Sequence, residues 1–327
     1  MEKQPASLRR GLLKLFCSAL AVMLTFMLGI SILLQTVPET AACADPIPAE
    51  TAAAADQSDL IGGEDSGLIN ILLIGQDRRE EESRARSDSV ILCTFRPESG
   101  SITITSFLRD LYVQIPGHDG DRMNAAYAYG GMPLLKQTLQ ENFGIYVDGC
   151  MEVDFSRFSQ IIDLLGGVTM ELRQDEAEAI NEAVPGSLTA GTVHLTGEQA
   201  LAYTRIRNLD ADGDFSRTGR QRKLLAALLD SYRDAGILSI LSVVADMLPM
   251  ISTDLESKQI LVLAARLFPL LDNPTVVSQR IPADGTYAYS TIRGMEVLTA
   301  DMEQTRKLLR ETLLSTPAGT DEESPEK

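Results

Sequence analysis

Residues 68–107 read LINILLIGQDRREEESRARSDSVILCTFRPESGSITITSF, and the fold follows from how their apolar runs divide. Leu68–Gly75 is a continuous apolar run of strand length, the pattern of a strand buried on both faces. A charged loop separates it from SVILCTF. A Pro97–Gly100 turn then leads into SITITSF, so the last two runs pair as an antiparallel hairpin. With the turn centred near Glu98 and Ser99, the start of the first strand faces the end of the second. Asp88 therefore comes close to Arg109 and Asp110, and one end of the sheet gathers carboxylates and an arginine.

Downstream, helical and strand patterns alternate. The spacing predicts a helix over Pro133–Asn142, a strand over Cys150–Val153 and an amphipathic helix over Phe155–Leu165, ended by Gly166–Gly167. VTMEL (168–172) reads as a strand, Asp175–Ala183 as a helix, and HLTGEQALAYTR (194–205) as a turn with a short helix from Gly197. A long helix from Arg217 to about Asp234 follows. Ile237–Met250 reads as a further apolar helix, too short to cross a membrane. Helix Leu255–Leu267, strands near Val276–Ile281 and Met295–Leu298, and helix Ala300–Leu314 complete the series. Interleaved strands and helices point to an α/β (α+β) sandwich, a central mixed β-sheet flanked by helices.

The N-terminal region differs in kind. Leu12–Leu34 lacks acidic residues and carries one charge, Lys14, so it is long enough to span a bilayer as one transmembrane helix. Lys3, Arg9, Arg10 and Lys14 precede or open it, which puts residues 1–11 in the cytoplasm and everything after 34 outside. A cleaved signal peptide is the competing reading, with Ala42–Cys43–Ala44 as its small-residue site, but that site stands far beyond the apolar run. Residues 35–66, rich in Ala, Pro, Asp and Glu, read as a flexible extracellular linker. The folded domain is expected over 67–315, and 316–327 as a disordered acidic tail.

The 327-residue chain has a formal net charge of -17. Setting aside the 4 basic and 1 acidic residues of the first 34 leaves about −20 for the exported part, which disfavours nucleic acid. Two histidines, His118 and His194, leave little material for a histidine triad or a zinc site. Walker, dinucleotide and nucleophile-elbow motifs are absent, so hydride transfer and serine hydrolysis drop out. Of the four cysteines, Cys17 lies in the anchor and Cys43 in the linker. Cys93 and Cys150 fall in strands, either bonded to each other or buried as free thiols.

Against this acidic background one basic stretch stands out: YTRIRNLDADGDFSRTGRQRK, Tyr203–Lys223. Arg205 and Arg207 share a face of an extended segment. Ser216 is the expected N-cap of the helix that follows, whose Arg217, Arg220 and Gln221 share one side, continued by Leu224 and Leu228. Arginines at a helix start where an apolar stripe begins suit a phosphate-rich ligand. A solvated basic face is the other reading, and the one expected for Arg220, Arg222 and Lys223. Asp77 and Asp88, at strand ends beside Arg78, Arg79 and Arg86, are candidates to hold a divalent metal. They read equally well as ordinary carboxylates paired with those arginines. Asp210, Asp212, Gly213 and Asp214 suggest a calcium loop only weakly, because the terminal glutamate is missing.

Seven pieces, in order, carry a resemblance to a known family: NILLIGQDRR, RSDSVIL, SFLRDLYVQIPG, NAAYAYGG, VDFSRFSQIIDLLGGV, LTGEQALAYTRIR and DFSRTGRQR. From about Leu68 to Asp230 the chain resembles the LytR–CpsA–Psr family. The resemblance implies a membrane-anchored transferase that moves a glycopolymer (wall teichoic acid, capsule or another secondary polysaccharide) from a polyprenyl-pyrophosphate carrier to peptidoglycan. The new bond is a phosphodiester. By resemblance, Asp77 and Asp88 match metal-associated aspartates for Mg2+ (or Mn2+). Arg78, Arg79, Arg86, Arg109, Arg205, Arg207, Arg217 and Gln221 match the pyrophosphate-binding positions. The set expected to act in catalysis is Arg109, Arg205, Arg207, Arg217 and Asp88, with Asp88 or Asp110 to take the acceptor's proton. Leu108 and Gln76 depart from a proline and a serine common in the family, and neither change removes a charge. The family's apolar lipid tunnel would be walled by Phe155, Phe158, Ile161, Ile162 and Leu165 with Leu224, Leu225 and Leu228, stripes that ordinary core packing also explains. A lipid-pyrophosphate hydrolase and a non-catalytic lipid-binding regulator are the rival functions.

Overall fold

The computed structural model of the chain describes residues 60–63, 66–76, 87–207, 209–210, 213–233, 237–272 and 274–315. The predicted span at 12–34, the tail at 316–327, and Asp77, Arg78, Arg79 and Arg86 lie outside them.

Six strands build the central sheet: β1 (Ile69–Gln76), β2 (Ser87–Arg96), β3 (Ser101–Phe107), β6 (Gly149–Asp154), β9 (Ser252–Thr253) and β10 (Thr275–Ile281). Their order is β10-β3-β2-β1-β6-β9. β1 and β3 each run antiparallel to β2, while β6 runs parallel to β1 and β10 parallel to β3, so the sheet is mixed as expected. Val90 stands opposite Phe107 and Phe95 opposite Ile102. Continued outward, this register sets Asp88 opposite Arg109, the juxtaposition read from the turn.

Alternation along the strands divides the core between the two faces of the sheet. Leu72, Ile74, Val90, Leu92 and Phe107 pack under α1 (Met123–Phe143) and α8 (Met302–Leu314). Ile91, Cys93, Ile102 and Ile104 pack on the other face, where Leu225, Ala226 and Leu229 of α5 (Asp214–Ser231) cover them. A second cluster joins α2 (Phe155–Leu164), α3 (Gln174–Ala183) and α4 (Gly197–Arg205) to the hairpin β7 (Val168–Leu172)–β8 (Gly191–Leu195). Between α5 and β10 lie α6 (Ile237–Met247) and α7 (Ser257–Leu267). Two small hairpins complete the fold, β4 (Tyr112–Val113) with β5 (Asp121–Arg122) and β11 (Tyr287–Ile292) with β12 (Met295–Ala300).

Several boundaries differ from the sequence reading, for physical reasons. α1 begins ten residues before Pro133, because the chain is helical from Met123 and the Gly130–Gly131 pair only kinks it. β8 overlaps a segment read as a turn, β11 falls where no element was assigned, and β7 pairs with β8 outside the central sheet. Ile61, assigned to the linker, is buried and exchanges hydrogen bonds with Gly144 and Tyr146. Ser216 is not the N-cap of α5. The helix starts two residues earlier, after Gly213 in a positive-φ conformation (φ 45).

Cys93 and Cys150 are both buried free thiols. β1 separates them: Cys93 is registered with Ile71 and Cys150 with Leu72, which point to opposite faces. Burial pushes the Cys93 thiol up to about 12, and burial raises Cys150 as well, aided by Asp254. Neither is expected to react with a maleimide at pH 8 in the native chain, and both should react once the chain is denatured. Peptide mapping separates their labels from those on Cys17 and Cys43.

Candidate functional site

The site forms where the ends of β2 and β3 meet the first turn of α5. Arg109 follows β3 in a tight turn fixed by the Leu111 amide donating to the Leu108 carbonyl at 3.1 Å. The turn aims its guanidinium at the start of β2, where Nη1 donates to Asp88 Oδ1 at 2.9 Å. Its Nε lies 3.6 Å from both Asp110 and Asp214. Burial opposes the charge, but Asp214, Asp110 and Asp88 together hold the Arg109 pKa above the ordinary arginine value.

Arg217 comes from α5 and is only 3% exposed. Its Nη2 reaches Asp214 Oδ1 at 2.8 Å and the Asp88 carbonyl at 3.2 Å, and Nη1 stands 3.9 Å from Asp88 Oδ1. Burial, followed by the charges of Arg109 and Arg207, depresses its pKa despite Asp214. The sheet and helix thus hold cations against one another. Two of the donors, Arg109 Nε and Arg217 Nε, are buried without a hydrogen-bond acceptor. Such donors are costly to leave unmade.

Of the remaining predicted residues, Arg205, Arg207 and Gln221 are described, while Asp77, Arg78, Arg79 and Arg86 lie outside the described residues. Arg205 ends α4 with its guanidinium 4.7 Å from the Phe155 ring centroid. Arg207 is exposed, yet its charge reaches Arg217. Ser89 Oγ donates to Gln221 Oε1 at 3.1 Å. Asp214 and Arg122 belong to the site but were missed as such by the sequence reading. Asp214 carried a signal, since it stands three residues before Arg217 on a helix. Arg122, 3.6 Å from Asp110, is brought in by the β4–β5 pairing and had no local signal.

Beyond Ser89 and Gln221 an apolar cavity of about 160 Å³ opens between β1, β2, β6 and the helices. Leu73, Ile91, Phe155, Phe158, Leu224, Leu225 and Leu228 are among its walls. Ile161, Ile162 and Leu165, also expected there, do not line it; Ile162 and Leu165 pack instead into the cluster around β7 and α4. The first turns of α5 thus carry Arg217 toward the site, and its later turns carry Leu224, Leu225 and Leu228 to the apolar cavity.

Arg220 and Arg222 are not a solvated face. Arg220 is 4% exposed, with Nε on Glu176 Oε1 at 3.0 Å, Nη1 on the Ile206 carbonyl at 3.3 Å and Nη2 on Asp210. Arg222 is buried against β10, its Nε donating to Ser278 Oγ at 2.8 Å, and burial with the charge of Arg280 lowers its pKa to about 10. Lys223 is exposed as expected and caps the Glu171 carbonyl at 2.6 Å.

One of the two expected metal-holding carboxylates, Asp88, is described, and it is paired with Arg109. Asp88 offers a half-buried carboxylate at the rim of an arginine cluster. Magnesium commonly takes one or two carboxylates and completes its shell with phosphate oxygens and water. Among the described residues no group of three or more acidic, histidine or cysteine side chains forms a self-sufficient metal cage.

A model of the LytR_cpsA_psr family matches residues 34–311. The polyisoprenyl-teichoic acid–peptidoglycan teichoic acid transferase TagT of Bacillus subtilis (strain 168) is 35% identical over 216 residues, covering 64% of this chain and 65% of that protein. TagU of Bacillus cereus is 33% identical over 226 residues, 66% of this chain and 69% of its own length. The chain thus aligns with about two thirds of the curated relatives it matches. Among solved structures, TagT bound to LIIa-WTA superposes with a TM-score of 0.64 at 29% identity, covering 80% of this chain and 98% of that one. YwtF (TagT) with bound octaprenyl pyrophosphate lipid gives 0.59 at 28% identity, covering 78% and 95%.

Proposed function

The chain belongs to the LytR–CpsA–Psr family, and on that premise we propose that it is a membrane-anchored phosphotransferase. It moves a teichoic-acid-like or capsular glycopolymer from a polyprenyl-pyrophosphate carrier to peptidoglycan, outside the cytoplasmic membrane of a Gram-positive-type envelope. The observation that carries this reading is the Arg109–Arg217 cluster beside an apolar cavity whose lining includes Ser89, next to Asp88, and Gln221, one helical turn after Arg217. One end accepts pyrophosphate and the other a hydrocarbon chain, the two halves of a lipid pyrophosphate. The names of the aligned transferases and the lipid in the YwtF structure support the same reading.

In the reaction, the acceptor hydroxyl oxygen bonds to the phosphorus that bears the polymer. The bond from that phosphorus to the bridging pyrophosphate oxygen breaks, and polyprenyl phosphate leaves. Arg109 and Arg217 stabilise the charge that gathers on the phosphate oxygens, with Arg205 and Arg207 at the rim. Gln221 marks the border between headgroup and lipid. Asp110, more loosely paired than Asp88 at 3.6 Å from Arg109 and from Arg122, receives the hydroxyl proton. Asp88, with Asp77, would hold Mg2+ (or Mn2+), which supplies further positive charge to the phosphates. Arg78, Arg79 and Arg86 would extend the cationic rim.

The test is transfer of radiolabelled polymer from its lipid carrier, with and without peptidoglycan. Product that depends on peptidoglycan supports the transferase; equal release of lipid phosphate without it favours hydrolysis. Chelation with EDTA is expected to stop transfer and added Mg2+ to restore it, and transfer undiminished in EDTA would remove the metal from the scheme. A reporter fused after Lys327 should be active only outside the cytoplasm. Leu228→Trp, which fills the cavity, should weaken octaprenyl-pyrophosphate binding at least about tenfold, with a melting temperature within a few degrees of wild type. Unchanged lipid affinity would mean the chain lies elsewhere.

A further inference from the structure

We infer that the β11–β12 hairpin carries the subsite for the acceptor's sugar chain, with Tyr289 as the stacking platform for a sugar ring; the inference rests on the transferase reading above. An aromatic series runs outward from the reaction centre. Phe215 follows Asp214 in the first turn of α5. Tyr287 stacks on it with ring centroids 5.0 Å apart and planes 28° apart, and the Arg280 guanidinium lies 4.6 Å from the Phe215 centroid. Tyr289 meets Tyr287 edge-on at 6.0 Å and is 76% exposed. A large exposed ring at the end of a stack rooted on buried Phe215 is a poor element of packing and a good ligand surface.

The hairpin is held in place. The Leu298 amide donates to the Asp110 carbonyl at 2.9 Å, and Arg293 at the hairpin tip pairs with Asp119 at 3.0 Å. The backbone of the proposed proton acceptor and the base of the aromatic platform are thus tied together.

Position selects the occupant. The lipid cavity lies over β1, β2 and β6, whereas the hairpin joins the turn after β3 through Leu298 and stacks through Tyr287 on Phe215, beside Arg280 of β10. Attack at phosphorus proceeds roughly in line with the departing oxygen. Because the departing phosphate carries the lipid held in the cavity, the attacking hydroxyl enters from the opposite side, past Asp110 and the hairpin. The entering group belongs to peptidoglycan, whose sugar rings present flat C–H faces that stack on tyrosine, with hydroxyls for the phenol and for Arg280.

The chain contains no tryptophan, so Tyr289→Trp in the full-length protein introduces a single reporter. Soluble, uncrosslinked peptidoglycan fragments should shift its emission saturably, while octaprenyl pyrophosphate should not. Tyr289→Ala should weaken fragment binding by calorimetry roughly tenfold and leave octaprenyl-pyrophosphate affinity unchanged. Wild-type fragment affinity in Tyr289→Ala overturns the inference. So does an emission that answers lipid-linked polymer but not the fragments, which would assign the platform to the donor. Failure of the wild-type chain to bind octaprenyl pyrophosphate would instead overturn the transferase reading, with the fragment titration still deciding the platform.

Discussion

Arg217→Ala is expected to lower polymer transfer by about 10³-fold or more, as loss of an arginine that stabilises charge at a transferring phosphoryl group does elsewhere. The melting temperature should hardly move. Arg217 is buried and pressed by Arg109 and Arg207, so its removal relieves repulsion. Its partners are not left alone, since Arg109 stays 2.9 Å from Asp88 and 3.6 Å from Asp214. Arg217→Lys keeps a charge but has one nitrogen where Arg217 uses two, Nη2 on Asp214 and the Asp88 carbonyl and Nη1 toward Asp88 Oδ1, so it should recover only part of the rate. The measurements are kcat for labelled polymer and a thermal melt of each variant. Transfer by Arg217→Ala within tenfold of wild type would sink the assignment.

Arg220→Ala, three residues along the same helix, should do the reverse, damaging the fold first. Arg220 and Glu176 are both buried, and truncating one member of such a pair costs about 3–5 kcal/mol because the other charge is stranded. For a domain of this size that lowers the melting temperature by roughly 10 °C or more. Arg220→Met with Glu176→Leu removes both charges and should regain most of that loss. Some activity should still be missing from the double variant, because Arg220 also holds the carbonyl of Ile206, between Arg205 and Arg207. A melting temperature for Arg220→Ala within 2 °C of wild type, roughly the shift from a change below 1 kcal/mol, would return Arg220 to the solvated face.

This contrast between Arg217 and Arg220 shows how far the sequence could be read. The hairpin, the central sheet and the meeting of Asp88 with Arg109 were legible because strand period and turn position determine them locally. The helix that carries Arg217 and Gln221 was legible because its spacing is helical. The division of labour within the basic stretch was not. Whether an arginine faces phosphate, Glu176 or Ser278 depends on α3 and β10, elements 44 and 56 residues away in sequence. The same holds for Arg122 and for the aromatic stack on Phe215, whose members come from separate hairpins and helices. Ser216 misled because a good capping residue lay two positions inside the helix, and Gly213 took the turn instead.

The hairpin register carries one more consequence. Asp88 meets Arg109 because the same number of residues runs back from the Pro97–Gly100 turn on each side. That turn sits about 30 Å from Asp88 and Arg109, roughly ten residues down a strand. Substitutions within it leave the pairing alone. A one-residue insertion or deletion slides β2 against β3 and turns the displaced strand's side chains to the other face, separating the aspartate from the arginine. Across related genes the turn should therefore drift freely in composition while its length stays constant, a remote segment whose residue count is under selection for catalysis.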